Sequence, residues 1–102
     1  LFITKAPVKK LIELENNIYI LKLFSPEIAE VIKPGQFLNI KVTDFNHPLL
    51  RRPFSVCDVE GELLSIMFNI LGTGTKKLAS KHSGNVLDIL GPLGNGFNLE
   101  GD

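Results

Sequence analysis

The chain has 102 residues, 44% of them hydrophobic, which suits one domain with its own core. Eleven basic residues balance eleven acidic ones. That zero net charge argues against a general binder of nucleic acid or of anionic membranes, which needs a basic excess, but leaves room for a local basic site such as Arg51-Arg52. Cys57 is the only cysteine, so an internal disulfide, a structural zinc and a self-held iron–sulfur cluster are excluded. A lone thiol fits a reducing, cytoplasmic compartment. No apolar run has transmembrane length, so no membrane partner is expected. The start at Leu1 has neither an initiator Met nor a signal-peptide layout, and Gly101-Asp102 gives no sign of closure. The expectation is a domain cut from a longer protein.

The elements follow in chain order as short apolar runs between turn residues. Val8, Ile12 and Leu14 alternate with Lys9, Glu13 and Glu15 as in a half-buried strand, with Leu11 breaking the pattern. Asn16-Asn17 tolerates positive φ and closes a hairpin into a second strand, Ile18 to Phe24. Ser25 to Glu30 reads as a loop with room for one helical turn. Pro34-Gly35 fits the centre of a type II turn, since Pro presets φ and Gly takes the positive φ after it. Gln36 to Val42 is a third strand, with Leu38, Ile40 and Val42 on one face. Thr43 to Leu50 is a polar loop holding His47 and Pro48.

Pro53 to Val59 is a fourth strand, and Glu60-Gly61 turns it into a fifth, Leu63 to Ile70, with Leu64, Ile66, Phe68 and Ile70 on one face. Gly72-Thr73-Gly74-Thr75 interrupts the β pattern, and Lys76 to Lys81 fits a short helix. Val86 to Leu90 is a sixth strand, and Gly91 to Phe97 an exit loop. The fold class expected is all-β: a six-stranded antiparallel Greek-key barrel with one short helix, an architecture that leaves no sheet edge exposed.

Two stretches can carry chemistry. Arg51-Arg52-Pro53-Phe54-Ser55-Val56 sets two fixed charges before a rigid Pro, a ring and a hydroxyl. Arg presents a planar fork of donors suited to phosphate. The plain alternative is a charged loop running into a strand. Gly72-Thr73-Gly74-Thr75 opens a helix, where free N–H groups attract anions, although an ordinary capped helix would look the same. It is too short for a P-loop or a dinucleotide fingerprint. Together the stretches suit a pyrophosphate: Arg52 for charge, Gly74 for close backbone approach and Thr75 for a hydroxyl. Cys57 reads as a buried small strand residue rather than a reactive thiol, and His47 and His82 are too isolated for a metal site.

These residues carry a family resemblance. Arg52-Pro53-Phe54-Ser55 resembles the Arg-x-aromatic-Ser flavin motif of the ferredoxin–NADP reductase superfamily. Gly72-Thr73-Gly74-Thr75 resembles its pyrophosphate motif, and Lys33-Pro34-Gly35-Gln36-Phe37 the start of its third strand. The doubled Arg and Gly91-Pro92-Leu93-Gly94-Asn95-Gly96-Phe97 are similar to the electron-transfer subunits of dihydroorotate dehydrogenase B, across roughly Pro7 to Leu99.

The resemblance implies that residues 1–102 are an FAD-binding β-barrel domain whose longer chain adds a C-terminal NAD-binding domain and a [2Fe–2S] centre. Arg52 would pair with the FAD pyrophosphate beside Pro53, and Phe54 would lie against the isoalloxazine or ribityl part. Ser55 would bond near the reactive flavin nitrogen. Gly74 and Thr75 would hold the pyrophosphate, and Met67, Phe68 and Asn69 would touch the cofactor. Asn69 stands where a basic residue is common, and Phe54 where Tyr is common. The implied function is electron transfer in pyrimidine biosynthesis. Electrons would run from dihydroorotate, through a partner catalytic subunit bearing FMN and the iron–sulfur centre, to this FAD and on to NAD. Such a domain is not catalytically complete alone. The alternatives are an FAD domain of a sulfhydrogenase or transhydrogenase subunit, or a non-catalytic barrel that binds a partner.

Overall fold

A computed structural model describes residues 1–42 and 51–94. Its strands are β1 (Phe2–Glu15), β2 (Ile18–Phe24), β3 (Phe37–Lys41), β4 (Arg51–Glu60), β5 (Leu63–Asn69) and β6 (Val86–Leu93). They close into an antiparallel barrel in the order β1-β2-β5-β4-β3-β6. Two short helices, α1 (Pro26–Val31) and α2 (Thr73–Leu78), complete the described fold. One helix was expected. The addition, α1, forms because Ser25 is extended at its N-cap and Pro26 presets the first turn. It stops when Ile32 turns extended two residues before Pro34. Its Ile28 is fully buried and anchors it to the core.

The long β1 serves two neighbours. Residues 2–7 pair with β6, and residues 8–15 pair with β2. A bulge between Val8 and Lys10 moves the inward phase by one residue. Ala6 and Val8 point in before the bulge, and Leu11 packs on the core opposite buried Leu21 after it. This explains the broken alternation at Leu11. It also leaves Leu14, expected to be half-buried, 51% exposed.

The turns obey local chemistry. Asn16 (φ 38°) and Asn17 (φ 68°) both adopt left-handed backbone, as the two-residue hairpin between β1 and β2 requires. Gly35 sits at φ 89° in its turn, closed by a bond from Gln36 N–H to the Lys33 carbonyl at 3.1 Å. The β4–β5 hairpin pairs Glu60 with Leu63, so its two central residues are Gly61 and Glu62, one step later than expected. Gly61, at φ 60°, takes the first of them.

The core runs through the barrel axis. Leu21, Leu23, Leu38, Ile40, Leu64, Ile66 and Ile89 are fully buried. Each such side chain contributes about 1.5–3 kcal/mol relative to exposure. Leu38, Ile40 and Val42 share the inner face of β3 as their alternation requires. β6 continues through Gly91-Pro92-Leu93, so the first part of the expected exit loop is strand, paired through Phe2↔Gly91 and Phe37↔Leu93. The expected loop Thr43 to Leu50, with His47, and the segment Asn95 to Phe97 lie outside the described residues.

Candidate functional site

The site forms where the β4–β5 ladder stops. Pairs run from Glu60↔Leu63 to Val56↔Ile66 and no further. Beyond them, residues 51–55 stay on β3, through Lys41↔Arg51 to Phe37↔Ser55. Residues 67–69 stay on β2, through Ile20↔Met67 to Ile18↔Asn69. The barrel wall therefore has an unpaired seam between these two stretches. Phe54 and Phe68 close its inner side, edge to face at 6.1 Å between centroids, and Tyr19 stacks on Phe68 at 5.7 Å.

Alternation along β4 separates the two arginines. Arg52 and Phe54 lie on the phase that faces buried Ile40 and Leu38, their cross-strand partners. Arg51 lies on the outer phase. There its guanidinium donates to Asp88 Oδ1 at 2.6 Å, to the Asp88 carbonyl at 3.4 Å and to the Asn39 carbonyl at 3.5 Å. Lys5 Nζ approaches the other Asp88 carboxylate oxygen at 3.3 Å. Burial alone would raise the Asp88 pKa, but Arg51 and then Lys5 outweigh it and hold the carboxyl below the usual 3.8. Arg51 is thus committed to structure. Arg52 is exposed and has neither an ion-pair nor a hydrogen-bond partner among the described residues.

Arg52 faces a cleft of about 390 Å³ lined also by Pro53, Phe54, Leu71, Gly72, Gly74 and Thr75. The helix behind it, α2, begins at Thr73 and ends at Leu78, earlier than the expected 76–81. Its first internal bond runs from Lys76 N–H to the Gly72 carbonyl at 2.9 Å. The N–H groups of residues 73, 74 and 75 therefore have no acceptor within the helix.

The Thr75 hydroxyl holds the approach to α2. It accepts from Leu71 N–H at 2.8 Å and Gly72 N–H at 3.1 Å, and it can donate to the Gly72 carbonyl at 3.2 Å. Those three bonds occupy the hydroxyl, so Thr75 shapes the loop. Gly74 has a packing reason as well, since a Cβ there would lie 2.9 Å from Val42 Cγ2.

The structure thus brings Arg52, Pro53, Phe54, Gly74 and Thr75 around one cleft. Ser55, Met67 and Asn69 are exposed but do not line it, and Phe68 lies buried behind Phe54. Sequence reasoning missed Leu71 as a lining residue, and it placed Gly72 in the Gly72-Thr73-Gly74-Thr75 stretch without giving it a role of its own. Leu71 is 85% exposed, and a large apolar residue directly before a glycine turn is the signal that marks it. Cys57 proves exposed rather than buried, with its thiol directed at the Ser65 carbonyl at 3.3 Å. The bulge between Val56 and Asp58 places it there. Among the described residues no helix is long and apolar enough to cross a membrane.

No protein-family model matches the chain. It is 44% identical over 90 residues to the electron transfer subunit of dihydroorotate dehydrogenase B (NAD(+)) of Bacillus cereus strain B4264, and 43% identical to that of Bacillus anthracis strain CDC 684. Each alignment covers 86% of this chain and 35% of the relative, so the chain spans about a third of the length of these relatives. Among solved structures, an NADH-dependent reduced ferredoxin–NADP oxidoreductase superposes with a TM-score of 0.81 at 25% identity, over 91% of this chain and 34% of that one. The cytochrome b5 reductase domain of Ulva prolifera nitrate reductase superposes at 0.76 with 13% identity, over 91% and 40%. The barrel is the ferredoxin–NADP reductase-like fold.

Proposed function

We propose that this chain, a relative of the electron-transfer subunits of dihydroorotate dehydrogenase B, is the FAD-holding barrel of an NAD-linked electron-transfer flavoprotein. One observation carries the reading: Arg52, which has no partner among the described residues, and the N–H end of α2 line the same cleft. A fixed cation and oriented amides on two sides are what a pyrophosphate needs. The cleft fits that group in chemistry: its polar side carries donors, and Pro53, Phe54 and Leu71 supply apolar wall for the parts that flank a pyrophosphate.

FAD, when bound, would supply exchange of one or two electrons, and the protein's part is binding, orientation and electrostatics. Arg52 would neutralise the pyrophosphate, and the amides at 73–75 would bond its oxygens. Thr75, by holding the 71–72 backbone, would keep those amides aimed. Ser55, exposed on the outer face of β4, would bond the polar edge of the flavin ring, with Met67 and Asn69 beside the same seam. Phe68 would back Phe54 where that ring touches the flavin. In the whole protein, electrons from dihydroorotate would arrive through an FMN-bearing catalytic subunit and a [2Fe–2S] centre and leave to NAD. The NAD-binding and cluster-binding parts would belong to the other two thirds that the relatives possess. We assign the assembly to the cytoplasm on the redox logic of a lone thiol.

The ferredoxin–NADP oxidoreductase likeness favours a second reading, an FAD domain of a transhydrogenase-type subunit. Both readings require flavin. Purified protein that is yellow, or that takes up added FAD with quenching of its fluorescence, supports them. A colourless protein that takes up none contradicts both and favours a partner-binding barrel. Reduction by dihydroorotate with the cognate catalytic subunit, against reduction by ferredoxin, separates the two.

A further inference from the structure

We infer that the Arg51–Asp88 pair is a positioning device that aims Arg52 into the cleft, so that Asp88, which lines no part of that cleft, governs affinity for the pyrophosphate end of the ligand. The inference rests on the FAD reading above.

Arg51 and Arg52 are neighbours on a strand and must point to opposite faces. Whichever face Arg51 takes, Arg52 takes the other. Nothing intrinsic distinguishes the two side chains, and among the described residues Ile40↔Arg52 and Lys41↔Arg51 are the pairs that hold this end of β4 on β3. On the far side of Arg52, Pro53 has no N–H with which to strengthen the pairing with Asn39. Backbone pairing with β3 therefore sets the alternation at Arg52 with one N–H fewer than a regular ladder would offer.

Arg51 adds a side-chain restraint to that pairing. Its guanidinium ties β4 to two other strands, to β3 through the Asn39 carbonyl and to β6 through the Asp88 carbonyl and carboxylate. The carboxylate bond, at 2.6 Å with both side chains about three quarters buried, is the short member of the set (25% and 21% exposed). Lys5 on β1 pairs with the second Asp88 oxygen at 3.3 Å. Three strands thus meet on one carboxylate, with β3 joined through Arg51, and together these bonds hold Arg51 outward.

Simple charge counting gives the opposite expectation. Neutralising Asp88 adds net positive charge near an anion site and would tighten binding. The test is to titrate FAD and riboflavin, which lacks the pyrophosphate, into the wild-type chain, Asp88→Asn, Asp88→Glu and Arg52→Ala. Positioning predicts that Asp88→Asn loses about tenfold in FAD affinity, keeps riboflavin affinity, and is rescued in part by Asp88→Glu. It also predicts that Arg52→Ala costs less in the Asp88→Asn background than in the wild type. Equal or tighter FAD binding by Asp88→Asn, while Arg52→Ala still weakens it, overturns the positioning role and leaves the FAD reading intact. Parallel loss of FAD and riboflavin affinity means general loosening and also overturns it. Absence of FAD binding by the wild-type chain overturns the FAD reading and the inference with it.

Discussion

A Cβ on Gly74 would sit 2.9 Å from Cγ2 of Val42, a residue only 3% exposed at the end of β3. The contact packs the start of α2 onto the barrel wall, and so it sets how the free amides face Arg52. Gly74→Ala should destabilise the fold by about 1–3 kcal/mol, the usual cost of an added methyl in a packed place. Val42→Ala in the same chain should recover part of that loss in urea unfolding. A Gly74→Ala protein as stable as wild type would show that the helix is not held here.

The Thr75 hydroxyl serves two backbone N–H groups, those of Leu71 and Gly72. Thr75→Val keeps the shape and removes the acceptor, and should cost about 0.5–1.5 kcal/mol, the net value of a hydrogen bond whose exposed donors water can serve instead. Thr75→Ser should retain most of the stability. Thermal melts of both variants decide the matter; a Thr75→Val chain that melts with the wild type contradicts the assignment.

Much of this was legible in the sequence because it is local. The Asn16-Asn17 hairpin, the Pro34-Gly35 turn and the face of Leu38, Ile40 and Val42 follow from backbone preference and a period of two. The grouping of Arg52 with Gly74 and Thr75 was also legible, since their residue types suit one anion. What was not legible depends on long-range pairing. The β1 bulge that turns Leu11 inward, and the strand run through Pro92, are set by partners far off in the chain. The division of labour between Arg51 and Arg52 depends on Asp88, 37 residues beyond Arg51. The occupation of the Thr75 hydroxyl required the backbone path of Leu71-Gly72.

Asp88 gives the fold a defined acid response. Arg51 and then Lys5 hold its folded pKa below the ordinary 3.8. A lowered carboxyl pKa contributes stability that is fully present above the ordinary value and is lost as pH falls through the folded value. Wild type should therefore exceed Asp88→Asn in stability at pH 7, and the gap should shrink below about pH 4. Urea unfolding of both proteins between pH 2 and pH 7 measures it. A gap that stays constant with pH, or widens in acid, would contradict the pairing.

The central claim is that Arg52 supplies the charge for a bound pyrophosphate. Titration of FAD into wild type and Arg52→Ala, followed by flavin fluorescence at fixed ionic strength, tests it most directly. Loss of one charged contact should weaken FAD binding by about ten- to a hundredfold. The melting temperature should change little, because Arg52 is exposed and makes no bond to its surroundings among the described residues. Undiminished FAD affinity in Arg52→Ala would contradict the account.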